Sequence, residues 1–455
     1  MDKNFAEDVI KKALNKGCDK AEIFIRSSRG ISAEAKEGRV EALEVSRDVG
    51  IALRVIKGQK LGFAFASDLH EIDDTINAAM DAAKCTVADE YLDIPEKMPV
   101  GEALIFDEQI KNITEDAVIK NALLLEEIAL SFDERIKKVR KAEVGADVSH
   151  TIIANSNGVN VDYEGTYYSA SVTTLASMDK RDNQMGWDFA GSRRMRDVDI
   201  STVGAIASRR AVELLGSRKI SAVKAPVIIC PSVAVSFLDI LSASLSAEAV
   251  QKHRSFLQDK VGKNIMSTVI DIVDDGTMQW GTGTRPVDDE GVPVSKKSVI
   301  SKGVLNSYLY NTYAAKKAGL KSTGNALRGS HKSLPGIEVT NFYLKPEESR
   351  ETEVTGSSGR SPLRENKLIK SMSRGILILN AMGLHTANPI SGDFSVGISG
   401  QWVENGEIAY PIKEAVVSGN ILTLFKKIDA LGSDMEFYGN IGSPSLLIGD
   451  MDISA

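Results

Sequence analysis

Cysteine is nearly absent from this chain: Cys18, Cys85 and Cys230 are the only three among 455 residues, far apart and without a C-x-x-C. That spacing excludes a disulfide framework and a cysteine-rich metal cluster, and it points to packed thiols in a reducing compartment. Cys230 stands in the apolar run "APVIICPS", which suits a buried thiol better than a nucleophile. Histidine is also sparse. His70, His150, His253, His331 and His385 occur singly, so neither H-E-x-x-H nor H-E-x-x-x-H is present. No window approaches the ~18 apolar residues of a spanning helix, and the opening "MDKNFAEDVIKKAL" reads as an amphipathic helix, not a signal peptide. A net charge of -7 excludes the broad basic footprint of a nucleic-acid wrapper, and the basic residues 192–196 read as a solvated loop. There is no G-x-S-x-G and no Walker loop; "GTGTRP" from Gly281 lacks the third glycine and reads as a turn. These absences leave a cytoplasmic globular protein, with 43% apolar and 26% charged residues.

At this length two domains are expected, an N-terminal unit 1–221 (with subdivisions 1–100 and 101–221) and a C-terminal unit 222–455. The first unit reads as α+β, with antiparallel sheets and crossing helices. Val9, Ile10, Ala13 and Leu14 share a helix face that Gly17 ends. Residues 21–67 predict four or five short strands punctuated by Gly38, Gly50 and Gly58. There Val40, Leu43 and Val45, then Ile51, Leu53 and Val55, supply one buried face. Asp68 opens a second helix, and another covers about 114–132. Asn157-Gly158 marks a hairpin, and Ser201 caps a helix that Gly216 stops. Helix–sheet–helix therefore occurs twice, as in a loose duplication. From Pro226 onward short strands and glycine turns predict a β-rich, barrel-like unit, and the polar stretch 345–373 reads as an inserted loop.

Acidic pairs occur at Asp274-Asp275 and Asp288-Asp289-Glu290, where neighbouring side chains diverge along a strand, so turn and cap roles outweigh a carboxylate dyad. Glu248 and His253 follow a long apolar stretch, but five positions place them ~140° apart on a helix.

Three phrases in order are more specific: "VDDGTMQWGTGTRPVDDEGVPVSKKSVISKGVLNSYLYNTYAAKKAGLKSTGNALRG", "SGDFSVGISGQWVENGEIAYPIKEAVVSGNI" and "LGSDMEF". Together they resemble the TldD/TldE (PmbA) family of metallopeptidase-related proteins, also called modulators of DNA gyrase. The resemblance extends to "EGRVEALEVSRDVGIALRV" near the N-terminus. In that family the TldD-type subunit carries H-E-x-x-x-H and a C-terminal cysteine as zinc ligands, and the TldE/PmbA-type subunit lacks them. Aligning "AEAVQK" with the motif keeps Glu248 but places Ala247 and Lys252 at the histidines, and "YGNIGSPSLLIGDMDI" has no cysteine. The resemblance thus implies a TldE/PmbA-type chain without its own metal or catalytic residues. Its implied partner is a TldD-like subunit that supplies zinc, and its substrate an unfolded or leader-type peptide. On this reading Asp288, Asp289, Glu290, Gly291, Ser322, Thr323, Gly324, Asn325, Gly392 and Asp393 shape a peptide cleft, while Glu248 and His253 mark the degenerate motif. The alternative is a non-enzymatic peptide-binding or regulatory homodimer linked to gyrase or toxin–antitoxin control, without direct nucleic-acid or membrane contact. A third reading, an independent peptidase using Glu248 and His253, requires zinc in the isolated chain.

Overall fold

The computed structural model describes residues 3–179, 182–346 and 367–454. Most of the expected loop 345–373 therefore lies outside the described residues. Two helices and three strands form a module that occurs twice. The first copy is α1 (Lys3–Asn15), β1 (Lys20–Lys36), β2 (Arg39–Lys57), β3 (Lys60–Ala66) and α2 (Ile72–Cys85). A short helix α3 (Glu108–Lys111) precedes the second copy: α4 (Glu115–Ser131), β4 (Ile136–Asn155), β5 (Asn160–Ser177), β6 (Asn183–Ser192) and α5 (Ile200–Glu213). The six strands join in one antiparallel sheet, ordered β3-β2-β1-β4-β5-β6, so the two modules meet along β1 and β4.

Local chemistry accounts for these elements. Alternating Ile23 and Ile25 on β1, Ile51, Leu53 and Val55 on β2, and Ile152 and Ala154 on β4 pack beneath α1 and α2. Farther along, Ile31, Ala33 and Ala35 with Val144 and Ala146 pack beneath α4 and α5. The two modules use glycine at the same place. A Cβ on Gly62 would stand 2.0 Å from the Ala79 carbonyl oxygen of α2, and one on Gly186 would stand 2.0 Å from that of Ala207 in α5. Each glycine thus lets an outer strand lie directly against its helix.

Three local expectations change. Residues 21–67 form three strands, two of them 17 and 19 residues long, because Gly50 lies inside β2. A Cβ at Gly50 would meet His331 Nδ1 at 2.2 Å, so this glycine marks a close approach instead of a turn. Val40, Leu43 and Val45 are 37%, 41% and 49% exposed, since α4 covers β1 but stops short of this end of β2. Asp199, not Ser201, caps α5: its carboxylate accepts the Ser201 N–H at 2.9 Å.

The C-terminal half is built on β7 (Val223–Ile229), followed by α6 (Pro231–Ser244) and the one-turn α7 (Ala247–Gln251). Further strands are β8 (Ile272–Asp275), β9 (Lys296–Ser301), β10 (Val304–Leu305), β11 (Ala326–Leu327), β12 (Gly336–Ile337) and β13 (Phe342–Leu344), with α8 (Thr312–Lys317) between β10 and β11. Then come β14 (Arg374–Met382), β15 (Asp393–Glu404), β16 (Glu407–Asn420), β17 (Ile428–Leu431), β18 (Glu436–Tyr438), β19 (Ile441–Ser443) and β20 (Leu446–Ser454). One sheet runs β16-β15-β14-β7-β20-β17, and an additional β16–β20 pairing closes it into a barrel. A second runs β10-β9-β8-β13-β19-β18, while β11 and β12 pair separately. A single apolar cluster joins the barrel interior to α6 and to the second sheet. The α+β sheet layer and the barrel expected from the sequence are both present.

Candidate functional site

The helix α6 begins with Pro231 at its first turn and presents Val233, Phe237, Leu238 and Leu241 to the core. Leu245 ends it, and Ser246 starts α7 by accepting the Ala249 N–H on its hydroxyl. This break turns the remaining polar residues toward a groove of about 620 Å³. Asp239, Ser242, Glu248 and Lys252 line one wall, and Gly336, Ile337 and Glu338 of the β12 segment line the other. On its far side β12 pairs with β11, so the two-stranded ribbon leaves the groove edge without a strand neighbour among the described residues.

Glu248 and His253 do not converge. Lys252 forms an ion pair with Glu248. His253 lies beyond the helix at φ +55°, with Nδ1 3.0 Å from Gln258 Oε1. The left-handed turn at His253 closes the helix end: its N–H bonds the Val250 carbonyl and the Arg254 N–H bonds that of Ala249. Partial burial pushes the Asp239 carboxyl above its ordinary value.

The acidic turn expected in a cleft is instead deeply buried. Asp288, Asp289 and Glu290 are 1%, 3% and 0% exposed. Asp288 Oδ1 accepts the N–H groups of Glu290 and Val292, and Oδ2 accepts that of Ala326. Burial and the nearby Glu290 nevertheless push the Asp288 acid well above the usual carboxylate range. Asp289 accepts the Arg328 N–H at 2.7 Å. Gly291 turns at φ +89° beneath Val159. Glu290 reaches the N-terminal sheet: Arg54 Nη1 donates to it at 2.9 Å, and Arg54 Nη2 donates to Glu22 at 2.6 Å. Arg328 Nη2 donates to Glu22 at 2.8 Å, completing a buried chain of four charges across the two halves. Burial raises the Glu22 carboxyl, against the pull of Arg54 and Arg328.

The other named turn abuts this one. Ser322 and Thr323 bond the Tyr310 backbone, Gly324 adopts φ +70°, and Asn325 Nδ2 donates to buried Asp274 at 2.8 Å. Gly392 and Asp393 lie apart, at the start of β15, where Asn420 and Ser391 donate to the exposed Asp393 carboxylate and lower its pKa. Sequence reasoning missed Glu22, Arg54 and Arg328. Glu22 and Arg54 do interrupt otherwise apolar strand segments, "AEIFI" and "IALRVI", and that interruption was the available signal.

Zinc, which the resemblance assigns to the family, does not fit the donors here. Three carboxylates line the groove, Asp239, Glu248 and Glu338, with no imidazole or thiolate beside them among the described residues; Glu248 is paired with Lys252, and Ala247 is 1% exposed and supplies no ligand atom. Among the described residues no group of three or more His, Cys, Asp or Glu is placed to hold a metal ion. None of their helices is long and apolar enough to cross a membrane.

Comparison with known proteins agrees in sequence and fold. Family models match along the chain: PmbA/TldA metallopeptidase domain 1 at residues 21–83, the central domain at 108–215 and the C-terminal domain at 222–455. Metalloprotease PmbA of Escherichia coli O157:H7 is 29% identical over 460 residues, covering 98% of this chain and 96% of that protein. A crystal structure from Thermotoga maritima, of a protein named for modulation of a DNA gyrase, superposes with a TM-score of 0.88 at 27% identity, covering 99% of both chains. TldE from Thermococcus kodakarensis has the same fold, with a TM-score of 0.88, 22% identity and coverage of 99% of this chain and 100% of that one. The chain belongs to the PmbA/TldD metallopeptidase family.

Proposed function

We propose that this chain is the TldE/PmbA-type subunit of a cytoplasmic metallopeptidase complex that processes unfolded or leader-type peptides. A TldD-like partner supplies zinc and the general base. One observation carries this reading: at the helix where the family motif falls, Glu248 is tied to Lys252, and no imidazole lines the groove among the described residues. The unpaired edge of β12 supports the peptide part, because an extended chain binds such an edge through backbone hydrogen bonds. A groove of this kind selects extended segments and rejects folded ones, whose backbone groups are already paired.

The test is reconstitution with a TldD-type chain carrying H-E-x-x-x-H. The expected result is a stable complex, zinc-dependent cleavage of an unfolded peptide, and zinc bound only to the partner. No association, or cleavage no greater than that of the partner alone, overturns the reading. One equivalent of tightly held zinc in this chain by itself does so as well.

A further inference from the structure

The apolar pattern of the large sheet breaks over two successive levels, at Ser27 and Arg29 on β1, Arg47 on β2 and His150 on β4. On β1 the helix-facing series runs Ile23, Ile25, Ser27, Arg29, Ile31, Ala33; on β2 it runs Leu53, Ile51, Val49, Arg47, Val45, Leu43. On β4 it runs Ile152, His150, Val148, Ala146. These positions lie where the α1/α2 layer ends and the α4/α5 layer has not begun. The result is a wedge of about 400 Å³ on the helical side of the sheet, with Lys111 of α3 and Glu164 of β5 at its border.

Arg29 and Arg47 are direct cross-strand partners in this wedge. Like charges in that relation destabilise a sheet. The neighbouring side chains already have partners: Lys111 lies 3.7 Å from Glu164, and the His150 ring meets the Asp162 carboxylate. No carboxylate lies within ion-pair distance of Arg29 or Arg47 among the described residues, and Asp48 at the rim pairs with neither. A carboxylate has two oxygens and is satisfied by one guanidinium fork. Two forks on adjacent strands, ~5 Å apart at Cα, match the larger oxygen set of a phosphate.

We propose that the wedge is a binding site for a phosphate dianion, free or as a small monoester, held between Arg29 and Arg47. The Ser27 hydroxyl and Lys111 stand at its border. The site is separate from the groove beside α7 and does not depend on the peptidase reading.

Titration calorimetry of the full chain, at fixed ionic strength, with inorganic phosphate and with O-phosphoserine tests this. Saturable binding at one site per chain is expected, weakened about tenfold or more by Arg47→Thr and, separately, by Arg29→Thr. Tighter binding of O-phosphoserine assigns a monoester, and tighter binding of phosphate assigns the free ion. Threonine keeps strand preference and removes the like-charge contact, so each variant should melt higher than the wild type without phosphate and lose the phosphate-dependent rise. Absence of saturable binding to either probe overturns the proposal, as does undiminished binding by both variants. Melting that falls equally with and without phosphate assigns the arginines a structural role and overturns it too.

Discussion

Arg54 Nη1 stands 2.9 Å from Glu290 Oε1, joining residues 236 positions apart across the junction between the large sheet and the C-terminal half. Neither side chain is more than 8% exposed. Glu22 shares Arg54 with Glu290, and the Thr312 N–H donates to the second Glu290 oxygen at 2.8 Å. Removing one member therefore strands the others without water. Glu290→Ala is expected to lower the unfolding free energy by about 3–5 kcal/mol, read by urea denaturation. Arg54→Met should cost a similar amount by leaving two carboxylates together. A loss below 1 kcal/mol for both would show that water reaches the junction.

Acid should weaken a second tie. Asp93 is bonded by Lys20 at the start of β1 and by Lys316 of α8 at 2.9 Å. Partial burial alone would raise its carboxyl, but hydrogen bonds from these two ammonium groups outweigh burial and hold it at about 2, below the ordinary 3.8. A depressed native value gives stability that is present above the ordinary carboxylate range and is lost as pH falls toward 2. Solvent screens this partly exposed group, so the contribution is about 1 kcal/mol. Asp93→Asn should flatten the wild-type decline in melting temperature over that acid window. An unchanged slope would place the acid sensitivity elsewhere.

The repeated strand-to-helix contact predicts matched losses. Gly62→Ala and Gly186→Ala each force a methyl group against a helix carbonyl oxygen 2.0 Å away. Each should cost about 1–3 kcal/mol through backbone displacement. Gly101→Ala, with nothing within 4 Å of its Cβ, is the control and should be nearly neutral. Urea midpoints of the three variants check the ranking.

These contrasts show what was readable in the sequence. Gly58 and the Asn157-Gly158 pair end strands, as their turn chemistry dictates, and Asn155 adds side-chain bonds to the N–H groups of Asn157 and Val159. Gly50 carries the same local signal but serves His331, 281 positions later, so no local rule separates it from a turn glycine. Alternation placed Leu43 and Val45 on the helix-facing side of β2; their exposure depends on where α4 ends. At the groove, the sequence supplied Glu248 and the absence of histidines beside it. The β12 wall comes from residues 336–338, and only folding brings them opposite α7. Likewise, acidity made Glu290 conspicuous, but its burial is set by Arg54 in the other half.

The sharpest test of the subunit assignment is therefore Glu248 itself. In a metallopeptidase motif this carboxylate is the general base, and its loss removes about 10²–10⁴ of the rate. Here it forms an exposed-side pair with Lys252, whose side chain is 57% exposed, an interaction that contributes no more than about 1 kcal/mol. Glu248→Ala should leave the folded chain and its association with a TldD-type partner intact. In the reconstituted complex, kcat is expected within about twofold of the wild type, because on the proposed reading the chemistry belongs to the partner and does not pass through this residue. A hundredfold fall in kcat at unchanged KM would instead place Glu248 in the reacting centre. Equal binding of peptide by the mutant and wild-type complexes, measured by fluorescence anisotropy, keeps a loss of substrate affinity from being mistaken for a loss of catalysis.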